Sequence, residues 1–164
     1  MKRFVLGTAG AVLLVGMVAA PAAADERTCR GSIGATTLDN VRVPTGATCT
    51  LTGTTVKGTV KVERGATLKA NRVRVIGNVQ AEGHRQVNVA TSSVGGSIQL
   101  VQGGGAVLGG NRVTGDIQSF TNSAAQRFTN NRVNGNLQCK ENRPAPTGSG
   151  NVVGGNKEDQ CRRL

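Results

Sequence analysis

A chain of 164 residues has room for one domain and lacks the length for a second. Its 20 basic residues against 9 acidic ones give a formal charge of +11, a balance that suits anionic partners such as wall polymers, acidic glycans or nucleic acid. It equally suits solubility outside a cell, and with no Trp or Tyr and only three Phe a broad aromatic core is excluded.

Residues 1–24 read as a Sec-type signal peptide. Lys2 and Arg3 make a basic start, and Val12 to Ala20 form the apolar run. Ala22-Ala23-Ala24 offers small side chains just before Asp25-Glu26-Arg27. The apolar run is shorter than the roughly 20 residues that span a bilayer, and no later segment approaches that length. The mature chain is therefore expected to be secreted, either released or held at the wall without a covalent anchor. It keeps 18 basic and 9 acidic residues, a charge of +9.

The mature sequence repeats. A glycine within apolar-x-Gly-x-apolar falls at Gly58, Gly77, Gly96, Gly115, Gly135 and Gly154, at intervals of 19, 19, 19, 20 and 19. Two residues before stand Val56, Val75, Val94, Val113, Val133 and Val152. Two after stand Val60, Val79, Ile98, Ile117 and Leu137, until Asn156 breaks the column. Such a period marks a stacked architecture. Val60 and Val62 alternate with Thr59 and Lys61, as in a strand with one buried face.

Seven residues past each glycine comes a turn column, Gly65, His84, Gly103, Asn122 and Asn142, with Gly46 ahead of it. These residue types tolerate positive φ. Ten past comes a second apolar column of Cys49, Leu68, Val87, Ala106 and Ala125. Leu51, Ala70, Val89, Leu108 and Phe128 follow it. No helical period competes. The expectation is an all-β, single-stranded parallel β-helix (a β-solenoid) of about six coils. Residues 25–40 are assigned as an N-terminal cap, 41–155 as the solenoid and 156–164 as a C-terminal cap.

The period also orders the cysteines. Four cysteines allow three pairings, and export makes disulfides stable. Cys29 and Cys49 are 20 residues apart and Cys139 and Cys161 are 22 apart, each close to one coil. One coil in sequence is one rung in space, within the roughly 4.4–6.8 Å between Cα atoms that a disulfide needs. Cys29–Cys49 and Cys139–Cys161 are thus expected to staple the two ends. The segment from Arg143 to Gly148, with Pro144 and Pro146, fits inside the last coil as an irregular side.

Two outward columns and one cluster are candidate surfaces. Gln80, Gln99, Gln118 and Gln138, flanked by Lys61 and Lys157, read as a hydrogen-bonded amide ladder, or as a polar strip for glycan hydroxyls. The column Thr55, Arg74, Ser93, Arg112, Arg132 and Asn151 carries three arginines. Lys57, Lys61, Arg64, Lys69, Arg72 and Arg74 cluster in two neighbouring coils, opposed only by Glu63. They are expected to form a cationic patch or a solvated face.

Chemistry is sparse. The turn column accounts for His84, the only histidine, and no CxxC pair exists for zinc. Glu82 and Asp116 are the only acids inside the middle coils, and the columns do not assemble them into a glycosidase pair. Residues 109–116 lack the GGxGxD spacing of calcium-binding repeats. No catalytic residue, metal or cofactor is expected.

The Val-x-Gly-x-Val coils resemble those of right-handed parallel β-helix proteins and of bactofilin-type polymer-forming proteins. The tail from Leu137 to Asn142 and from Gly155 to Cys161, with the Ala-rich leader, is similar to a family of small secreted actinobacterial proteins of unassigned function. These resemblances imply right-handed winding and export, and carry over no catalytic residue. The expected function is a non-enzymatic structural or binding module that contacts a cell-wall polymer or another anionic glycan rather than nucleic acid. The alternatives are a carbohydrate-active β-helix enzyme and a self-assembling filament subunit.

Overall fold

The computed structural model describes residues 25–164; the expected signal peptide lies outside the described residues. Among the described residues every regular element is a strand. Three parallel sheets of eight, seven and seven strands run the length of the molecule. A representative coil contributes Val60–Val62 to the first sheet, Thr67–Asn71 to the second and Arg74–Val75 to the third. Each strand pairs with its counterpart one coil on, placing Val60 beside Val79, Thr67 beside Gln86 and Arg74 beside Ser93. The fold is a parallel β-solenoid.

Alternation decides which side chains enter the core. Val60 and Val62 are buried and Lys61 between them is exposed, and the same pattern recurs down the first sheet through Ile98, Leu100, Ile117 and Leu137. Small aliphatics from all three sheets meet in one continuous core. Phe128 is its largest side chain. The repeating glycine is small because coil corners stack closely. A Cβ on Gly96 would come within 2.9 Å of the Gly77 carbonyl oxygen, the group that accepts the Gly96 N–H at 2.9 Å.

Both disulfides form as the period requires, with Cα separations of 5.5 Å for Cys29–Cys49 and 5.2 Å for Cys139–Cys161. The coil count is about seven instead of six. Residues of the N-terminal segment form strands Glu26–Thr28, Gly31–Ile33 and Thr37–Leu38, each paired in register with the next coil. At the other end Lys157–Asp159 adds the eighth strand of the first sheet before the chain turns through Cys161 to Leu164, both buried.

Several columns of the sequence reading shift by one residue. Val153, not Val152, pairs with Val133, and Gly155 donates its N–H to the Gly135 carbonyl at 3.0 Å. The last coil therefore also carries an extra residue, which moves Val152 to the outer face and Asn151 to a buried position. In the preceding coil the inserted residue lies before the second sheet. Gln126 takes the inner place expected for Ala125, which is exposed. Ser119 Oγ and Asn142 satisfy its buried carboxamide.

The turn column moves as well. In the middle and late coils the left-handed residue precedes the expected one: Gly83, Gln102, Thr121 and Glu141, with φ of 61°, 50°, 56° and 57°. His84, Asn122 and Asn142 instead point into the interior, each 2 % exposed or less. Stacking holds the non-glycine residues in this region, for the N–H groups of Gln102 and Thr121 each donate to a carbonyl of the next coil at 2.9 Å.

Candidate functional site

A 19-residue coil makes one circuit, so cations close in sequence leave it on different faces. Lys61 projects from the first sheet, Lys69 from the second and Arg74 from the third, and all three are exposed. Arg64 lies in the turn after the first sheet, and Arg72 occupies the left-handed corner before the third, at φ 53°. Lys57 is held by Asp39, with Nζ to Oδ1 at 3.0 Å. The six residues encircle the solenoid and do not form one patch.

On the first face the outward column reads Thr28, Arg42, Lys61, Gln80, Gln99, Gln118, Gln138 and Glu158. Glu158 takes the place expected for Lys157, because of the extra residue in the last coil. Each glutamine Nε2 donates to the next Oε1, at 3.2, 3.0 and 3.0 Å, and Gln138 donates to the Glu158 carboxylate at 2.9 Å. A carboxylate only accepts, so the ladder's direction is set from that end. The amide dipoles align head to tail, with their oxygen end facing Lys61 and their nitrogen end facing Glu158.

Above the ladder, Arg42 bridges two coils by ion pairs of 2.9 Å to Glu26 and 3.2 Å to Glu63. Glu63 also accepts the Thr45 N–H at 3.0 Å. That backbone donor, together with Arg42, holds its carboxyl below the usual range. Beside this network lies an open depression of about 700 Å³, where Lys61 and Arg64 face Glu63, Glu82 and the amides of Gln80 and Gln99.

The third face differs. Its outward column is Thr55, Arg74, Ser93, Arg112, Arg132 and Val152. Arg112 and Arg132 are direct neighbours on adjacent strands. Their positions are fixed from beneath. Asn111 and Asn131, one residue earlier, are buried, and each side-chain nitrogen donates to a carbonyl one coil back, Val89 at 2.7 Å and Leu108 at 2.9 Å. Each side-chain oxygen in this column also accepts the N–H one coil back, from Ser92 to Asn111 at 3.0 Å, and from Asn111 to Asn131 and Asn131 to Asn151 at 3.1 Å.

Sequence reasoning missed two such polar columns. The second follows the repeating glycine: Asn78, Ser97, Asp116 and Asn136 each accept the N–H of the equivalent residue one coil on. Its signal was a run of Asn, Ser and Asp one place after Gly77, Gly96, Gly115 and Gly135. Asp116 is thereby engaged as a corner acceptor, with the Asn136 N–H at 2.6 Å. Glu82 ends its strand at the far edge of the first sheet, two coils away. Four residues of strand, about 13 Å, separate those edges, beyond the span of a glycosidase carboxylate pair. Among the described residues no three His, Cys, Asp or Glu side chains gather as metal ligands.

His84 is 2 % exposed, and neither ring nitrogen makes a hydrogen bond of good geometry. Its ring occupies the space where a side chain on Gly103 would begin. Burial pushes its pKa below the ordinary value, partly opposed by the nearby backbone of Ala81 and Gly105. The unfolded chain therefore takes up this proton at a higher pH than the folded one. His84's contribution is whole above the unfolded pKa of about 6.5 and is lost as pH falls toward the lower folded value. Melting temperature is expected to drop between pH 7.5 and 5. His84→Asn, which matches Asn122 and Asn142 in later coils, is expected to flatten that dependence.

Comparison with protein-family models, curated proteins and solved structures gives no match. The class is defined by the structure itself: a three-sheet parallel β-solenoid with a disulfide at each end. Two disulfides fit an oxidising, extracellular setting, and no helix among the described residues is long and apolar enough to cross a membrane.

Proposed function

We propose that the chain is exported, as its leader and two disulfides suggest, and is a non-enzymatic module that binds an anionic extracellular polymer. One observation carries the reading. Of the 18 cations in residues 25–164, only Arg42 and Lys57 take part in ion pairs among the described residues, Arg85 donates to the Thr67 hydroxyl at 3.2 Å, and the rest make no side-chain hydrogen bond to other described residues. Stacked coils hold these charges at fixed intervals on a stiff support, which lowers the ordering cost of binding a long chain.

The test is sedimentation of residues 25–164 with purified cell-envelope polymer. Retention at low salt and release in about 1 M salt, where screening reaches about 3 Å, is expected. Absence of retention at low salt would remove the reading. End-to-end self-assembly is a second reading, favoured by the first coil, whose strand Glu26–Thr28 is exposed along its length. Filaments growing with concentration under the electron microscope would establish it.

A further inference from the structure

We infer that Arg74, Arg112 and Arg132 on the third face form a rail for a polymer of phosphodiester-linked sugars or polyols lying along the solenoid axis; this rests on the anionic-polymer reading above. Ser93 pairs with Arg74 on one side and Arg112 on the other, so these arginines stand two rungs apart, about 9.6 Å. Arg132 follows one rung further, about 4.8 Å on. Like charges on directly opposite residues of neighbouring strands repel, and no carboxylate relieves this pair. The face's other outward positions from Ile76 to Gly154 are Gly95, Thr114, Asn134 and Val152, all uncharged. An anion laid across the column converts that repulsion into shared attraction.

The floor is shaped for such a group. Arg74, Ile76, Ser93, Gly95, Arg112 and Thr114 line a notch of about 220 Å³, with an arginine at each axial end and the Ser93 position between. That volume takes one charged unit of a chain and not a whole drug-sized ligand. A planar carboxylate offers one edge to one guanidinium fork. The tetrahedral phosphodiester presents its two free oxygens in different directions, and so suits two guanidiniums approaching from opposite ends. Arg132 would then meet the next unit. Aromatic stacking, the usual grip on single-stranded nucleic acid, is missing here: Phe128 is buried in the core and Phe120 belongs to the first sheet. The chemistry therefore selects a sugar or polyol phosphate backbone.

The experiment measures equilibrium binding of residues 25–164 to immobilised polyglycerol phosphate, polygalacturonate and a single-stranded oligonucleotide. Two charge-matched double variants are compared: Arg112→Gln/Arg132→Gln on the third face, and Lys69→Gln/Arg127→Gln, whose side chains stand three rungs apart on the second. The third-face variant is expected to bind polyglycerol phosphate at least about tenfold more weakly than wild type, the scale of one or two charge-assisted hydrogen bonds. The second-face variant should stay within about threefold, since it loses only distant charge. Removing a like-charge pair should leave the melting temperature unchanged or raise it, so weakened binding is not misread as unfolding. Equal losses in both variants would overturn the rail while leaving the anionic-polymer reading intact. No wild-type binding at low salt would overturn both. Tighter binding to polygalacturonate or to the oligonucleotide than to polyglycerol phosphate would overturn the phosphodiester assignment.

Discussion

Asn131→Ala is expected to destabilise the protein by about 3 kcal/mol, because the side chain removed is buried and fully bonded. Asn131 is 1 % exposed. Its nitrogen donates to the Leu108 carbonyl and to Asn151, both at 2.9 Å, while its oxygen accepts from the Asn111 backbone and side chain at 3.1 and 3.0 Å. Alanine leaves the Leu108 carbonyl and the Asn111 N–H without those partners, in an interior water does not reach. Each such group costs roughly 1–3 kcal/mol, and neighbouring members of the ladder lose mutual polarisation. Asn131→Asp should be no better, since a carboxylate cannot donate to Leu108 and brings a charge indoors. Asn136→Ala is the comparison: that oxygen accepts one exposed N–H, from Asn156 at 2.8 Å, and its loss should cost less than about 1 kcal/mol. Urea denaturation of the three variants measures this. Equal costs for Asn131→Ala and Asn136→Ala would refute the interior ladder as a source of stability.

The second large effect belongs to the ends. Removing the Cys29–Cys49 bridge by a double alanine substitution is expected to cost about 3 kcal/mol, the chain-entropy scale for a loop of this length. In a solenoid each coil contacts only its neighbours, so the loss should be local. Amide exchange should accelerate in Glu26–Thr28, Gly31–Ile33 and Thr37–Leu38, which stand at the ends of their sheets among the described residues. Protection in Ile98–Val101 and Ile117–Phe120 should hold. The Cys139–Cys161 double variant should loosen Lys157–Asp159 in the same way. Uniformly faster exchange across all coils would show a single cooperative unit instead.

The coil was legible because three physical demands recur at one interval. Corners stack too closely for a Cβ, strands alternate small aliphatics inward, and disulfides need residues one rung apart. A period of 19 or 20 satisfies all three, and the sequence states it openly in Gly58, Gly77 and Gly96. Errors arose where a coil lengthens. An inserted residue can enter at any of three corners, and composition alone placed it after Ala125 and missed the one before Val153. The buried carboxamides were harder to see. Asn122 and Asn142 look like turn residues, and only the hydrogen bonds from Asn122 to Leu100 at 3.0 Å and from Asn142 to Ser119 at 2.8 Å reveal their inward role. The cationic cluster misled for the opposite reason. Lys61, Lys69 and Arg74 are close in sequence, yet a circuit of one coil turns them to three faces. Arg112 and Arg132, 20 residues apart, stand side by side. On this scaffold a site is read down a column, not along the chain.

The most direct test of the functional account is the affinity of residues 25–164 for a soluble phosphodiester polymer, measured by fluorescence anisotropy at about 0.05 and about 0.5 M salt. Fixed, unpaired cations on an extended surface predict tight binding at low salt that weakens by at least about tenfold across that range, as screening shortens from roughly 14 to 4 Å. Binding that is absent at low salt, or that does not change with salt, would contradict the account.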